Sequence, residues 1–195
     1  MAVRCSGPGV RAVGGVPGLS RPADSPVMTS PLRKRLAVIA PSLGEVVRYA
    51  GGWLFDLVTN GWEGTVLTAD HADPRPLEIL GGHGYDLESA LAAPSAGRCL
   101  HAIAVEANLY RSDTRVRRMV YQARGEGLAE LMVLGDDWPG GPDGAGGPVR
   151  HRLSIAARAF KAEALAAADI PAGAGDGVEV FRRTAISRAD LAPVP

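Results

Sequence analysis

Histidine, cysteine and aromatic residues are all scarce here: four histidines, two cysteines, and 5% phenylalanine, tryptophan and tyrosine together. Cys5 and Cys99 lie far apart in different contexts, which argues against a disulfide framework and fits a reducing cytoplasm. Neither has a histidine that periodicity would place beside it, so a thiol nucleophile is unsupported. No apolar run approaches the roughly 18 residues needed to span a bilayer. Near the N-terminus, glycine and proline interrupt any signal-peptide core between Arg4 and Arg11. Charge of one sign is missing too. Lys plus Arg and Asp plus Glu both total 21, so no net field favours nucleic acid or a membrane surface as partner.

What remains is ordinary soluble material. The chain has 195 residues, 46% of them hydrophobic and 22% charged, enough for one domain and one core. Residues 1–33 are expected as a disordered N-terminal tail, with Met28 a reasonable start. One domain is expected over 34–183, followed by a C-terminal tail over 184–195.

Leu36–Ala40 is a continuous apolar run, as in a strand covered on both faces. Val47, Ala50, Leu54, Leu57 and Val58 then fall at helical spacing across Glu45–Asn60, and Asn60-Gly61 stops the helix. Thr65–Thr68 is a second strand, making a βαβ unit and so a parallel sheet. Short helices are expected over Pro76–Leu80 and Asp86–Ala92, the latter capped by Asp86. Cys99–Val105 reads as a third strand. Ser112 or Asp113 caps a helix to about Arg124, and Leu131–Leu134 is a fourth strand. Gly135–Gly147 reads as an irregular Gly- and Asp-rich loop, Val149–Asp169 as the longest helix, and Val178–Phe181 as a last short strand. The fold class is α/β: a Rossmann-like three-layer sandwich with a mainly parallel sheet.

The tip of the first strand reads Ala40-Pro41-Ser42-Leu43-Gly44-Glu45, followed by Gly51-Gly52, then Gly61-Trp62 and TVLT. Further on come LEILGGHGYDLESAL, the helix RLSIAARAFKAEALAAA with Lys161-x-x-Ala164-Leu165, and VEVFRR. In order and spacing these resemble the PIG-L/LmbE-like zinc-dependent N-deacetylases. There the first strand ends in Ala-His-Pro-Asp-Asp-Glu, a helix carries a Gly-Gly pair, and a Leu-Gly pair precedes the next short strand. The chain closes with Ala-Glu-x-Phe.

The resemblance implies a zinc ion held by a His and an Asp of the first motif and a His of a later His-Pro-Asp-His, with another Asp as general base. Carried over residue by residue, the first zinc His falls on Pro41, the base on Leu43 and the zinc Asp on Gly44. The late motif falls on Arg111, Ser112, Asp113 and Thr114. None of the ligand positions keeps a donor of the right kind, since tetrahedral zinc is held by imidazole, thiolate or carboxylate. The expectation is a deacetylase-like scaffold without the family's zinc cofactor and without its catalytic residues. It would be a non-catalytic homologue from a bacterial, cytoplasmic setting. Its former cleft would bind a small polar or sugar-like ligand, or a partner in a homo- or hetero-oligomer. Ser42, Glu45, Asp70, His71, Arg111, Asp113 and Thr114 are the candidate ligand-binding residues.

Two other readings stay open. One is a hydrolase with a metal site relocated to Asp70, His71 or Asp73, in the loop after the second strand; the other is a purely structural subunit. The remaining polar residues have plainer readings. His83 belongs to a turn, His101 to a strand face, and His151 to the start of the long helix. Arg115, Arg117 and Arg118 read as a solvated helix face, while Arg111 could meet a carboxylate or phosphate in the old cleft, with Glu106 and Asn108 nearby. Asp136, Asp137 and Asp143 lack calcium-loop spacing. Trp138 could cover a ligand or a partner.

Overall fold

The computed structural model describes residues 33–70, 73–92, 100–124, 130–135, 145–171 and 177–184, all within one compact unit. The apolar run is strand β1 (Arg35–Ala40), flanked in parallel by β2 (Glu63–Thr68) and β4 (Ala102–Glu106). Strands β3 (His83–Asp86) and β5 (Glu130–Leu134) extend the parallel part on either side. Beyond β5, the strands β7 (Val178–Thr184) and β6 (Ala145–Arg152) run antiparallel, giving the order β3-β2-β1-β4-β5-β7-β6.

Strand pleating explains the two cores. Alternate side chains leave opposite faces, so β1 sends Leu36, Val38 and Ala40 to one side and Ile39 to the other. The first side is covered by α1 (Leu43–Thr59), α2 (Arg75–Ile79) and α6 (Ile155–Ala167). Against the second lie α3 (Leu87–Ala92), α4 (Ala107–Ser112) and α5 (Thr114–Arg124), around Ile103, Val105, Val116 and Val120. On β4 the residues facing α1 are small, Ala102 and Ala104, while their neighbours Ile103 and Val105 fill the other layer. This is the three-layer α/β sandwich expected from the sequence, with a mainly parallel sheet.

Several elements differ from the sequence expectation. Val149–Arg152 is not helical: it is strand in β6, and the helix begins only after Ser154, whose hydroxyl accepts from the Ala157 amide at 2.9 Å. The expected loop to Gly147 therefore ends in strand from Ala145. His83 lies on β3 rather than in a turn, paired in register with Thr65. A short helix, α4, occupies Ala107–Ser112 before the expected one. Arg117 is not on a solvated face. It is buried, donates to the Tyr110 and Arg111 carbonyls at the end of α4, and reaches Thr114 Oγ1 at 2.9 Å. The expected N-terminal tail up to residue 32, Cys5, His71, Cys99, the loop residues Asp136, Asp137, Trp138 and Asp143, and residues 185–195 fall outside the described residues.

Candidate functional site

In the order β3-β2-β1-β4-β5 the chain winds outward from β1 in both directions, and the winding reverses between β1 and β4. Open α/β sheets bind ligands at the carboxyl ends of the strands beside such a reversal. The segment there is Pro41–Glu45, leading into α1, opposite Glu106 at the end of β4.

Ser42-x-x-Glu45 is a capping box. The Ser42 hydroxyl accepts from the Glu45 amide at 3.2 Å, and the Ser42 backbone favours the charged Glu45 carboxyl. Asp70, just past β2, completes the helix start by accepting from the Leu43 amide with both oxygens at 3.1 Å. Glu106 is buried and accepts from the Asn108 and Leu109 amides at 2.8 and 2.7 Å, capping α4. Burial first, then the charge of Glu106 and more weakly that of Asp70, push the Glu45 carboxyl above the usual carboxylate range, with Arg48 opposing. Its Oε2 is buried with no hydrogen-bond partner among the described residues.

The structure thus brings Ser42, Glu45 and Asp70 together and adds Glu106. It does not draw Arg111, Asp113 and Thr114 into that group. Arg111 is exposed and donates to Asn108 Oδ1. Asp113 accepts from the Arg115 amide at 2.7 Å and from its guanidinium, which holds its carboxyl below the usual range. Thr114 is engaged by Arg117. Asp73, the last member of the alternative metal loop, accepts from the Arg75 amide at 2.9 Å.

Beside this group a cavity of about 320 Å3 opens among Leu43, Thr68, Asp70, Leu77, Tyr85 and Asp86. Tyr85, at the cavity's edge, is 56% exposed. On the other side of Glu106 lies Gly135, where an added Cβ would sit 3.5 Å from Glu106 Oε1; its φ of +98° is a conformation that suits glycine.

The residues present do not fit the zinc site that the resemblance implies. Pro41, Leu43 and Gly44 stand where two ligands and the base belong, and their side chains carry no donor atoms. Among the described residues, no three His, Cys, Asp or Glu side chains are arranged to hold a metal ion.

Three motifs quoted for the resemblance do meet in space. Glu179 of β7, its side chain 3% exposed, accepts from the Gly52 amide at 2.9 Å and the Trp53 amide at 2.8 Å. Lys161 of α6 donates to Glu179 Oε1 at 2.5 Å and to the Arg48 carbonyl at 2.6 Å. In an uninterrupted helix the Gly52 amide and the Arg48 carbonyl would be partners; here each also meets one end of a buried ion pair. Burial pushes the Glu179 carboxyl up, against the pull of Lys161 and the two amides. Gly52 has no room for a side chain, since a Cβ would lie 2.5 Å from the Leu153 methyl carbons. Sequence reasoning did not mark this pair as polar machinery. A signal was available: Glu179 shares its strand face with Phe181, which is fully buried.

The layers and the strand order, with the winding reversed between β1 and β4, define an open α/β sandwich. Among solved structures, the chain is similar to the A40926 pseudoaglycone deacetylase Dbv21, with a TM-score of 0.53 and 18% identity, covering 80% of this chain and 100% of that one. It is also similar to the deacetylase of teicoplanin biosynthesis in complex with teicoplanin, with a TM-score of 0.53 and 13% identity over the same shares. At these identities the likeness establishes a shared deacetylase-like fold. No family model and no curated protein matches the sequence. Among the described residues, no helix is long and apolar enough to cross a membrane.

Proposed function

We propose that this chain is a non-catalytic protein of deacetylase fold that binds a small, hydroxyl- or amine-bearing molecule, an amino-sugar derivative, in the cleft around Glu45 and Asp70. The observation behind this reading is the exchange of residues at the strand tips. Where the resemblance calls for imidazoles and a base, the chain has Pro41, Leu43 and Gly44, and what remains polar is the carboxyl group of Glu45 with Asp70 and Glu106. Amide hydrolysis by the family's route needs a water held and activated by zinc and a base, and Pro41, Leu43 and Gly44 put no donor atoms at those positions. Recognition needs less. Asp70 supplies an acceptor at the wall of a cavity of sugar size, and Tyr85 offers an aromatic surface at its mouth.

The test is calorimetric titration with glucosamine and N-acetylglucosamine, alongside metal analysis of protein purified without chelators. Binding without acetate release, abolished by Asp70→Asn or Tyr85→Ala in folded protein, bears the reading out. Acetate release that tracks about one bound zinc per chain would replace it with a hydrolase using Asp70, His71 or Asp73.

A further inference from the structure

A second cavity, of about 450 Å3, lies on the far side of α1, between that helix, α6, β7 and Gly135. Its lining is unusual for a chain of zero net charge. Among its described lining residues Arg48, Lys161 and Arg182 all contribute, and the one acidic residue is Glu179. Glu179 is already engaged by two amides and by Lys161, so it has little left to give a ligand. Glu45, one turn before Arg48, feels that guanidinium's charge; even counting it, cations outnumber carboxylates among the described residues.

The Lys161 side chain is 17% exposed, and its ammonium is fixed at two points, the Glu179 carboxylate and the Arg48 carbonyl. An ammonium has three donors, so one proton remains beyond those two bonds. Neither Arg48 nor Arg182 has a carboxylate in ion-pair contact among the described residues. Tyr49, Leu165 and Val178 supply an apolar wall between the charges. A pre-positioned ammonium with two planar guanidiniums is a donor set suited to a tetrahedral oxyanion, which guanidinium can hold bidentately. The volume exceeds that of a bare anion and leaves room for a ring attached to it.

We infer that this cavity binds the phosphate group of a small phosphorylated molecule, with Lys161, Arg48 and Arg182 of its lining as the donors. This cavity is lined by different residues from the one at Asp70 and Tyr85, and neither reading requires the other.

The probe is inorganic phosphate, titrated into the full chain by calorimetry at constant ionic strength, with acetate as a carboxylate comparison. Arg48→Gln and Arg182→Gln change exposed side chains and should fold. Each is expected to weaken phosphate binding about fivefold or more, and the double variant to abolish it, while Arg118→Gln, an exposed charge on α5 outside the cavity, leaves it unchanged. Acetate should bind at least tenfold more weakly than phosphate. Lys161→Gln disturbs a buried pair and is read only after its circular dichroism matches wild type. Phosphate binding that is undetectable in wild type, or equal in the double variant, overturns the inference. Equal affinity for acetate overturns the assignment to phosphate.

Discussion

The single residues that matter most in this molecule are polar ones placed where polar groups are expensive. Lys161 and Glu179 are the clearest case. Removing one partner of a buried pair leaves an uncompensated charge, typically costing about 3–5 kcal/mol, so Lys161→Met is expected to lose that much in urea denaturation. Lys161→Met combined with Glu179→Leu should recover part of it. Glu45 makes a prediction of a different kind. Its pKa in the folded chain is raised above the ordinary value of 4.5. The stability it contributes is therefore full below that value and lost as pH rises through the folded pKa. Glu45→Gln keeps the capping box, which accepts either residue. It should raise the melting temperature relative to wild type at pH 8 and not at pH 4.

Whether such residues could be read in advance depended on what surrounds them. Ser42 and Glu45 stood out as the polar members of the strand tip, and the S-x-x-E spacing marks a helix start. Glu179 did not stand out. In V-E-V-F the alternation allows either valines or Glu and Phe to face inward, and it is the ammonium of Lys161, eighteen positions away, with the distant Gly52 and Trp53 amides, that stabilises the second arrangement.

At the scale of elements, legibility followed local pattern. β1, α1 and β2 carry their own signals: an unbroken apolar run, helical spacing, and a glycine with φ of +86° at the turn after Asn60. β6 carries none. AGGPVRHR is poor in apolar residues and lies at the sheet edge, where antiparallel pairing with β7 holds it in place. Its last residues also sit in phase with the alanine-rich helix that follows, so they read as helix. α4 was missed because its cap comes from Glu106, a strand residue, and its last carbonyls are met by Arg117 from the next helix.

Caps and close approaches make this scale testable. Ser42→Ala should destabilise the fold by about 1 kcal/mol, the usual worth of an N-cap. At Gly52, alanine gains about 1 kcal/mol in helix propensity. Its methyl, however, would overlap Leu153, and overpacking costs about 1–3 kcal/mol. Gly52→Ala is therefore expected to destabilise on balance, and a double-mutant cycle with Leu153→Ala should show strong positive coupling.

For the molecule as a whole, the central ties run between its two ends. Asp56, late in α1, meets His151 Nε2 at 2.9 Å and the Ser154 amide at 3.2 Å, joining the helix to the β6–α6 connection. Burial alone would push the Asp56 carboxyl up, yet the Ser154 and His151 hydrogen bonds bring it below its ordinary value of 3.8. A depressed folded pKa means stability that is present above about that value and lost as pH falls through the folded one. Asp56→Asn should flatten the acid limb of a stability–pH curve while lowering stability near neutrality. The sandwich was foreseeable at this scale because strand–helix alternation and motif order agree over most of the chain. The second cavity was not, since its three cations come from segments far apart in the sequence.

The grip of Glu179 on Gly52 and Trp53 also bears on how the native state opens. Amide protons in mid-helix are usually released when that helix frays. These two are also held by a side chain 127 and 126 positions downstream, so their release requires β7 to undock as well. In deuterium-exchange measurements they should behave as reporters of the C-terminal strands, slowing and quickening with β5 and β7 rather than with the rest of α1. Glu179→Leu should return them to the rhythm of their own helix.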